Sequence, residues 1–287
     1  MATHNYAIFI LTHGRPDKVI TYRTLRKSGY SGKIYLICDD EDKTLSEYQK
    51  QYKDEVIVFS KKDYENTFDV MDNFEGNKVI VYARNACYDI ARSLCLDYFF
   101  EYEDDYKQFM YRFIDGQKLG YKSLTQMDKV CDAFIECLEN TKTTTIAMAQ
   151  GGDFIGGALS FHQLQYKRKA MNSFVFKVNL NPSDDCIFIG RMNDDVNTYL
   201  TQGKVGKIFC QIASIQLNQA QTQSSSGGNT EAYKTMGTYV KSFYSVMAAP
   251  SCCKISMLMS SNPRIHHKID WNKAVPKILH ESHKKNY

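Results

Sequence analysis

A chain of 287 residues, 43% of them hydrophobic, can bury a sizeable core, as one large α/β domain or one domain with an elaborated end. Its formal charge of +4 is too small for a nucleic-acid packaging protein. The nine cysteines contain no Cys-x-x-Cys pair and several lie inside apolar runs, which reads as reduced core thiols. No charged segment followed by an apolar run opens the chain, and no apolar stretch approaches the roughly 18 residues that cross a membrane, so a soluble cytoplasmic protein is expected.

The first sixty residues alternate strand and helix. YAIFILT reads as a strand, Pro16 to Ser28 as a helix opened by proline and closed at Gly29, and KIYLICDD as a second strand. Thr44 and Glu47 have the spacing of a capping box ahead of a short helix, and EVIVFS reads as a third strand. Short connections between alternating elements imply a parallel sheet wound in the right-handed sense.

Val79 to Tyr106 carries the densest chemistry. An apolar strand (VIVY), a helix beginning near Ala83-Arg84-Asn85 and a further strand (YFF) lead into Glu103-Asp104-Asp105. Carboxylates at a strand's carboxyl end in an open α/β sheet suit a divalent cation held against a substrate phosphate. Arg84, in the first turn of its helix, would attract an external anion such as a diphosphate.

Beyond the acids, FMYRFID reads as a strand, VCDAFIECLEN as a helix, TIAMAQ as a strand, and SFVFKVN and KIFCQIASIQL as two more, with a low-complexity loop in the 220s. GGDFIGG allows either a substrate-bordering loop or a tight bend. No P-loop is present, since the stretch from Gly116 to Ser123 has the wrong spacing, and no Gly-x-Gly-x-x-Gly follows the first strand. Thr12-His13-Gly14-Arg15 exposes a hydroxyl, an imidazole and a guanidinium before a helix start, either lining a nucleotide pocket or forming an ordinary turn. Cys38-Asp39-Asp40-Glu41-Asp42 ends the second strand at the same edge, where one carboxylate could accept hydrogen bonds from a ribose or base and the rest of the run would face solvent.

Asn193-Asp194-Asp195 opens another helix: Asp194 as its cap would leave Asp195 to reach an acceptor hydroxyl as a general base. Of the adjacent His266 and His267, one is a candidate metal ligand, in which case Mn²⁺ suits better than Mg²⁺. The stretch from His266 to Tyr287 gathers Lys268, Lys273, Lys277, Lys284 and Lys285, implying an anionic partner or a solvated tail.

With these residues together, the chain resembles nucleotide-sugar glycosyltransferases of the GT-A fold. More closely, it resembles the phage-encoded TET-associated glycosyltransferases, through THGRPDKVITYRTLRKSGYSGKIYLICDDEDKT, VIVYARNAC, FFEYEDDY, YRF and MNDDVNTY, over roughly residues 6 to 200. The resemblance implies an open, twisted, mostly parallel Rossmann-like sheet flanked by helices, with a catalytic domain over 1–260 and a basic C-terminal extension over 261–287 near the active site. It implies donor-nucleotide contacts at Thr12, Gly14, Arg15, Asp39, Asp40, Arg84 and Asp104, and a metal framed by Glu103 and Asp105, joined by His266 or His267. Asp195 becomes the base. It further implies a UDP-sugar donor, Mn²⁺ or Mg²⁺, hydroxymethylated DNA as acceptor, and the host cytoplasm as location; Lys167-Arg168-Lys169 and the basic tail would meet DNA phosphates. The rival readings are a nucleotidyltransferase, distinguishable by product mass, and a noncatalytic DNA- or protein-binding module.

Overall fold

The computed structural model describes residues 4–74, 79–159, 169–219, 237, 239–259, 263–274, 281 and 284. The low-complexity loop of the 220s, Lys167, Arg168 and most of the basic tail lie outside the described residues. A nine-stranded sheet has the order β3-β2-β1-β4-β8-β7-β9-β5-β6. Its strands are β1 Tyr6–Leu11, β2 Lys33–Asp39, β3 Val56–Phe59, β4 Tyr98–Glu103, β5 Tyr106–Asp115, β6 Lys118–Ser123, β7 Thr145–Gln150, β8 Phe174–Lys177 and β9 Phe209–Gln219. The ladders make β5 and β8 run against all the others, so the sheet is mostly parallel in strand direction.

Helices cover both faces. They are α1 Ile20–Lys27, α2 Leu45–Tyr52, α3 Val81–Ser93, α4 Met127–Thr141, α5 Asp194–Lys204, α6 Val240–Ala248 and α7 Trp271–Ala274. Because side chains alternate along a strand, β1 sends Ala7, Phe9 and Leu11 into a core with α3 and α5, and Ile8 and Ile10 into a second core with α1, α2 and α4. A strand buried on both faces reads as an unbroken apolar run, as YAIFIL does.

The order β3-β2-β1-β4 reverses the direction of winding between β1 and β4, which opens a crevice at their carboxyl ends. The same alternation divides the acidic segment. Phe99 packs on the α3 side, and Glu101 and Glu103 follow it at spacings of two; Phe100 and Tyr102 pack on the α1 and α2 side, and Asp104 follows them.

Three local expectations are corrected. VIVY is no strand: Val79 and Ile80 form a turn and α3 begins at Val81. That helix is buried nearly all round, Arg84 included, so the contrast that marks an amphipathic helix is missing from its start. The Pro16 helix breaks into a 3₁₀ turn, Pro16–Lys18, and α1. It does end at Gly29, whose φ of +82° and approach to the Thr125 carbonyl leave no room for a Cβ. Thr44 makes no side-chain cap; Asp42 Oδ1 instead accepts from Thr44 N at 2.8 Å and Oγ1 at 2.7 Å.

β10 Cys253–Leu258 and β11 Arg264–Ile269 form a separate antiparallel hairpin that brackets residue 260, and α6 packs on both its strands as well as on α5. The hairpin is thereby held near the start of α5, with His267 beside Asn193, while Trp271 stacks on Tyr199 further along that helix. No helix among the described residues is long and apolar enough to cross a membrane.

Candidate active site

Arg84 is the hub of the site. It is 1% exposed, with Nη1 2.6 Å from Glu101 Oε1, Nη2 2.7 Å from Glu103 Oε1, and Nε 2.6 Å from Asp194 Oδ2. Its guanidinium carbon also lies 5.0 Å from the Phe174 ring centroid and 5.4 Å from that of Phe188. Expected at a donor diphosphate, Arg84 instead binds three carboxylates with its three nitrogens. The guanidinium fork suits that arrangement; an ammonium does not.

A second guanidinium organises the other face. Asp104 Oδ2 accepts from Thr12 Oγ1 at 2.6 Å and from Arg15 Nε at 2.7 Å. Tyr48, buried on α2, links its hydroxyl to Thr12 Oγ1 at 2.7 Å and accepts from Arg15 N at 3.0 Å. The expected donor-side residues Thr12, Arg15 and Asp104 therefore come together, tied to one another. Gly14 is exposed at φ +71°, and its N–H donates to the buried Asp42 Oδ2 at 2.7 Å.

At the end of β2, Asp39 and Asp40 divide. Asp39 is buried, with Oδ2 2.6 Å from His13 Nδ1 and Oδ1 2.9 Å from the Lys61 ammonium. Burial would raise its pKa, but the two partners outweigh it and hold the carboxyl below the ordinary range. Asp40 is exposed and accepts from Lys61 N at 3.2 Å.

Around Arg84 the carboxylates outnumber their cations. Glu101 is pushed up to about 7 by burial, against the pull of Arg84. Glu103 is raised by burial, again opposed by Arg84, with Asp105, Asp194 and Asp195 adding repulsion. Asp105 is raised by burial and by Asp104. Its Oδ1 is buried and has no hydrogen-bond partner among the described residues.

Asp194 is not the cap of α5. That position belongs to Asn193, in the left-handed region at φ 53°, while Asp194 turns to Arg84. Asn193 Nδ2 donates to Lys241 O at 2.9 Å, which fixes the turn. Asp195 is buried, and its Oδ1 accepts from Val196 N at 2.7 Å. Burial and the adjacent Asp194 push its carboxyl up to about 6, with Arg84 opposing. A base poised there is ionised at neutral pH yet more basic than an ordinary carboxylate.

The donor set fits a divalent cation. Mg²⁺ and similar ions bind through one or two carboxylates, with substrate phosphates and water completing the shell, and Asp105 beside Glu103 offers that. No cluster of three or more His, Cys, Asp or Glu among the described residues could hold a metal by itself, so the histidines do not complete one with Glu103 and Asp105. Instead, the rings of His266 and His267 lie 4.2 Å apart, and His267 Nδ1 is 3.4 Å from Asn193 Nδ2. Burial, His266 and Lys241 push His267 down to about 4.

Sequence reasoning missed Glu101, Lys61 and Tyr48. Glu101 carried a signal, since a charge inside the apolar run YFFEYE requires a buried partner. For the other two the sequence held no comparable mark.

A family model for TET-associated glycosyltransferases matches residues 6–228. The chain belongs to that family. Its mostly parallel sheet flanked by helices, with a crevice at the carboxyl edge, agrees with the GT-A fold that the sequence resemblance implies. No curated protein matches the chain.

Among solved structures, Staphylococcus aureus TarS 1–349 in complex with UDP is similar at 10% identity and a TM-score of 0.42, covering 75% of this chain and 61% of that one. GalNAc-T7 with UDP, GalNAc and Mn²⁺ is similar at 9% identity and a TM-score of 0.42, covering 75% of this chain and 44% of that one. A mycobacterial protein reaches a TM-score of 0.47 at 7% identity, covering 93% of this chain and 84% of its own. The chain spans less than two thirds of the length of the TarS structures it matches, 38% to 66%.

Proposed function

We propose that this protein is a metal-dependent, inverting glycosyltransferase that moves a sugar from a UDP-sugar to the hydroxymethyl group of a hydroxymethylpyrimidine, foremost hydroxymethylcytosine, in phage DNA. The observation that carries the metal and the donor is the excess of carboxylates at the carboxyl end of β4. Glu101, Glu103 and Asp194 surround one buried guanidinium, and Asp105 keeps a buried oxygen without a partner. A buried anionic excess of this kind is relieved by protonation or by a cation. Membership of a family named for association with TET supports an acceptor carrying a TET-type hydroxymethyl group.

In this reading Asp105, with Glu103 beside it, would hold Mn²⁺ or Mg²⁺, whose charge lowers the cost of a departing diphosphate. Thr12, Gly14, Arg15, Asp39, Asp40 and Asp104 shape the nucleotide side. Arg84 acts through the carboxylates it grips, orienting Glu103 towards the donor and Asp194 at the mouth of α5.

Asp195 accepts the proton of the acceptor hydroxyl while the alcohol oxygen bonds to the anomeric carbon and the bond from that carbon to UDP breaks. One displacement inverts the anomeric centre, and the products are the glycoside, UDP and the proton on Asp195. Residues 1–260 form the catalytic unit in this proposal. The extension from 261 packs on or near it in this proposal, supported by the approach of His267 to Asn193, with His266 or His267 available to a cation only after rearrangement.

The deciding experiment incubates the protein with hydroxymethylcytosine DNA, Mn²⁺ and a panel of UDP-sugars, then weighs the digested nucleosides. A hexose or pentose increment is expected. A nucleotide increment, or unmodified nucleosides with every donor, overturns the proposal.

A further inference from the structure

Apart from the carboxylates around Arg84, a separate ion pair joins segments far apart in the chain. Asp72, in the connection from β3 to α3, meets Arg191, which precedes α5, with side chains 7% and 6% exposed. Arg191 Nε donates to Asp72 Oδ1 at 3.0 Å and to Oδ2 at 2.8 Å, and its Nη2 donates to Phe74 O at 2.9 Å. The Tyr244 hydroxyl, from α6, donates to Asp72 Oδ2, and Phe74 N donates to Oδ1 at 2.9 Å. Burial would raise the Asp72 carboxyl, but Arg191, Tyr244 and the Phe74 N–H outweigh it and hold it below the ordinary range.

Backbone contacts tighten the same junction. Gly190 N donates to Asp69 O at 2.8 Å and Arg191 N to Val70 O at 3.0 Å, so the two segments lie side by side. Each carries a residue in the left-handed region, Met71 at φ +65° and Asn193 at φ +53°. Residues with a Cβ enter that region at a cost and keep it only where their surroundings fix them. Gly190 has φ +87°, and a Cβ on it would come within 2.3 Å of Asn197 Nδ2.

The junction holds the turn that leads into the proposed base. From Arg191 the chain passes through Met192 and Asn193 to Asp194 and Asp195. Met192 O accepts from Asn197 Nδ2 at 2.9 Å, and Asn193 Nδ2 donates to Lys241 O at 2.9 Å and to Ser245 Oγ at 3.2 Å, beside Tyr244 on α6. Beyond Asn193, Arg84 Nε lies 2.6 Å from Asp194 Oδ2. The turn is therefore gripped from both sides, by Arg84 after Asn193 and by Asp72 before it. A buried ion pair is a poor source of stability beside apolar packing, but it imposes a direction that apolar contacts do not. A general base needs that direction, since a misplacement of about 1 Å can cost roughly 100-fold in rate.

We propose that Asp72 is a positioning residue for Asp195: by fixing Arg191 and Tyr244 together, it sets the turn that aims the base at the acceptor hydroxyl. The proposal rests on the assignment of Asp195 as base made above.

Sugar-transfer kinetics on Asp72→Asn, Tyr244→Phe, Asp195→Asn and the Asp72→Asn/Asp195→Asn double variant test it, with UDP affinity and melting temperature measured on the same preparations. Asp72→Asn is expected to lower kcat roughly 10- to 100-fold, with UDP affinity and the acceptor KM held within about twofold. Tyr244→Phe removes one hydroxyl and keeps the ion pair, so it shows a smaller loss of the same kind. In the Asp195→Asn background Asp72→Asn costs nothing more, because a residue that acts only through the base has nothing left to position. If Asp72→Asn is too unstable to assay, Tyr244→Phe with and without Asp195→Asn carries the same comparison. Losses that multiply with that of Asp195→Asn, or wild-type kcat in both Asp72→Asn and Tyr244→Phe, overturn the positioning role alone. Wild-type kcat in Asp195→Asn overturns the base assignment and this proposal with it.

Discussion

Arg84 Nη1 and Glu101 Oε1 meet at 2.6 Å where neither residue reaches solvent, at 1% and 0% exposure. The pair lies under the active-site crevice and anchors it, because the same guanidinium also holds Glu103 and Asp194. Removing one partner of a buried pair costs about 3–5 kcal/mol, since the other charge is left without compensation. Arg84→Met should therefore lower stability by about that much in urea unfolding at pH 7.5, and by less at pH 5, where the carboxylates freed can protonate. Arg84→Lys should recover only part, lacking the fork. A loss under about 1 kcal/mol for Arg84→Met, set against the buried-pair expectation, would rule out this account of the hub.

The carboxylate excess makes a prediction about pH. Glu101, Glu103, Asp105 and Asp195 have folded pKa values above the ordinary carboxyl value, so the folded state holds extra protons from about pH 4 to about 8. Their contribution to stability is complete below the unfolded value and is lost as pH rises through the folded one. Asp39, Asp72 and Asp153, held low, act oppositely below about pH 4, and the buried His266 and His267, also held low, act oppositely between about pH 4 and 6.5. The four carboxyls outnumber the two imidazoles, and above pH 6.5 only the carboxyls act, so the melting temperature of the metal-free protein should fall between pH 6.5 and 7.5, and Mn²⁺ with UDP should restore it until EDTA is added. A metal-free melting temperature that is flat or rises over this range contradicts the assignment.

Asp104 should matter to the donor through its neighbours. Its carboxylate is the shared acceptor of Thr12 Oγ1 and Arg15 Nε, and hydrogen bonds to a charged group are worth about 1.5–3 kcal/mol each. Asp104→Ala releases both from the donor loop. Titration calorimetry should find UDP binding weakened by roughly 10- to 100-fold, with Tyr48→Phe showing a smaller loss from the same network. UDP binding unchanged in Asp104→Ala would mean that this loop does not shape the nucleotide pocket.

Much of the architecture was legible because buried strands announce themselves. YAIFIL, KIYLICD and TIAMAQ are continuous apolar runs, and the structure makes each a strand covered on both faces. The same rule misread VIVY, since a helix buried all round has no polar face to reveal its period. At the site, the acids could be read but not their pairing. Nothing in the order of residues says that Arg84 spends its charge on Glu101, Glu103 and Asp194, or that Lys61 reaches Asp39. Those contacts are set by how α3 and the loop after β3 dock on the sheet.

Asp195 separates chemistry from binding most cleanly. It is buried, its Oδ1 is held by Val196 N, and burial with Asp194 lifts its carboxyl to about 6. Asp195→Asn preserves shape and hydrogen bonding to the backbone but cannot take a proton. General-base assistance is worth roughly 10²- to 10⁴-fold, so kcat for sugar transfer should fall by that factor while UDP affinity holds within about twofold. The wild-type acid limb should follow the same group: kcat drops as pH falls below about 6, and the limb disappears from the residual activity of the variant. Transfer kinetics across pH 4.5–8.5 for both proteins provide the measurement. If Asp195→Asn keeps wild-type kcat, or loses UDP affinity in proportion to kcat, the proton goes elsewhere and Asp195 serves only to build the turn into α5.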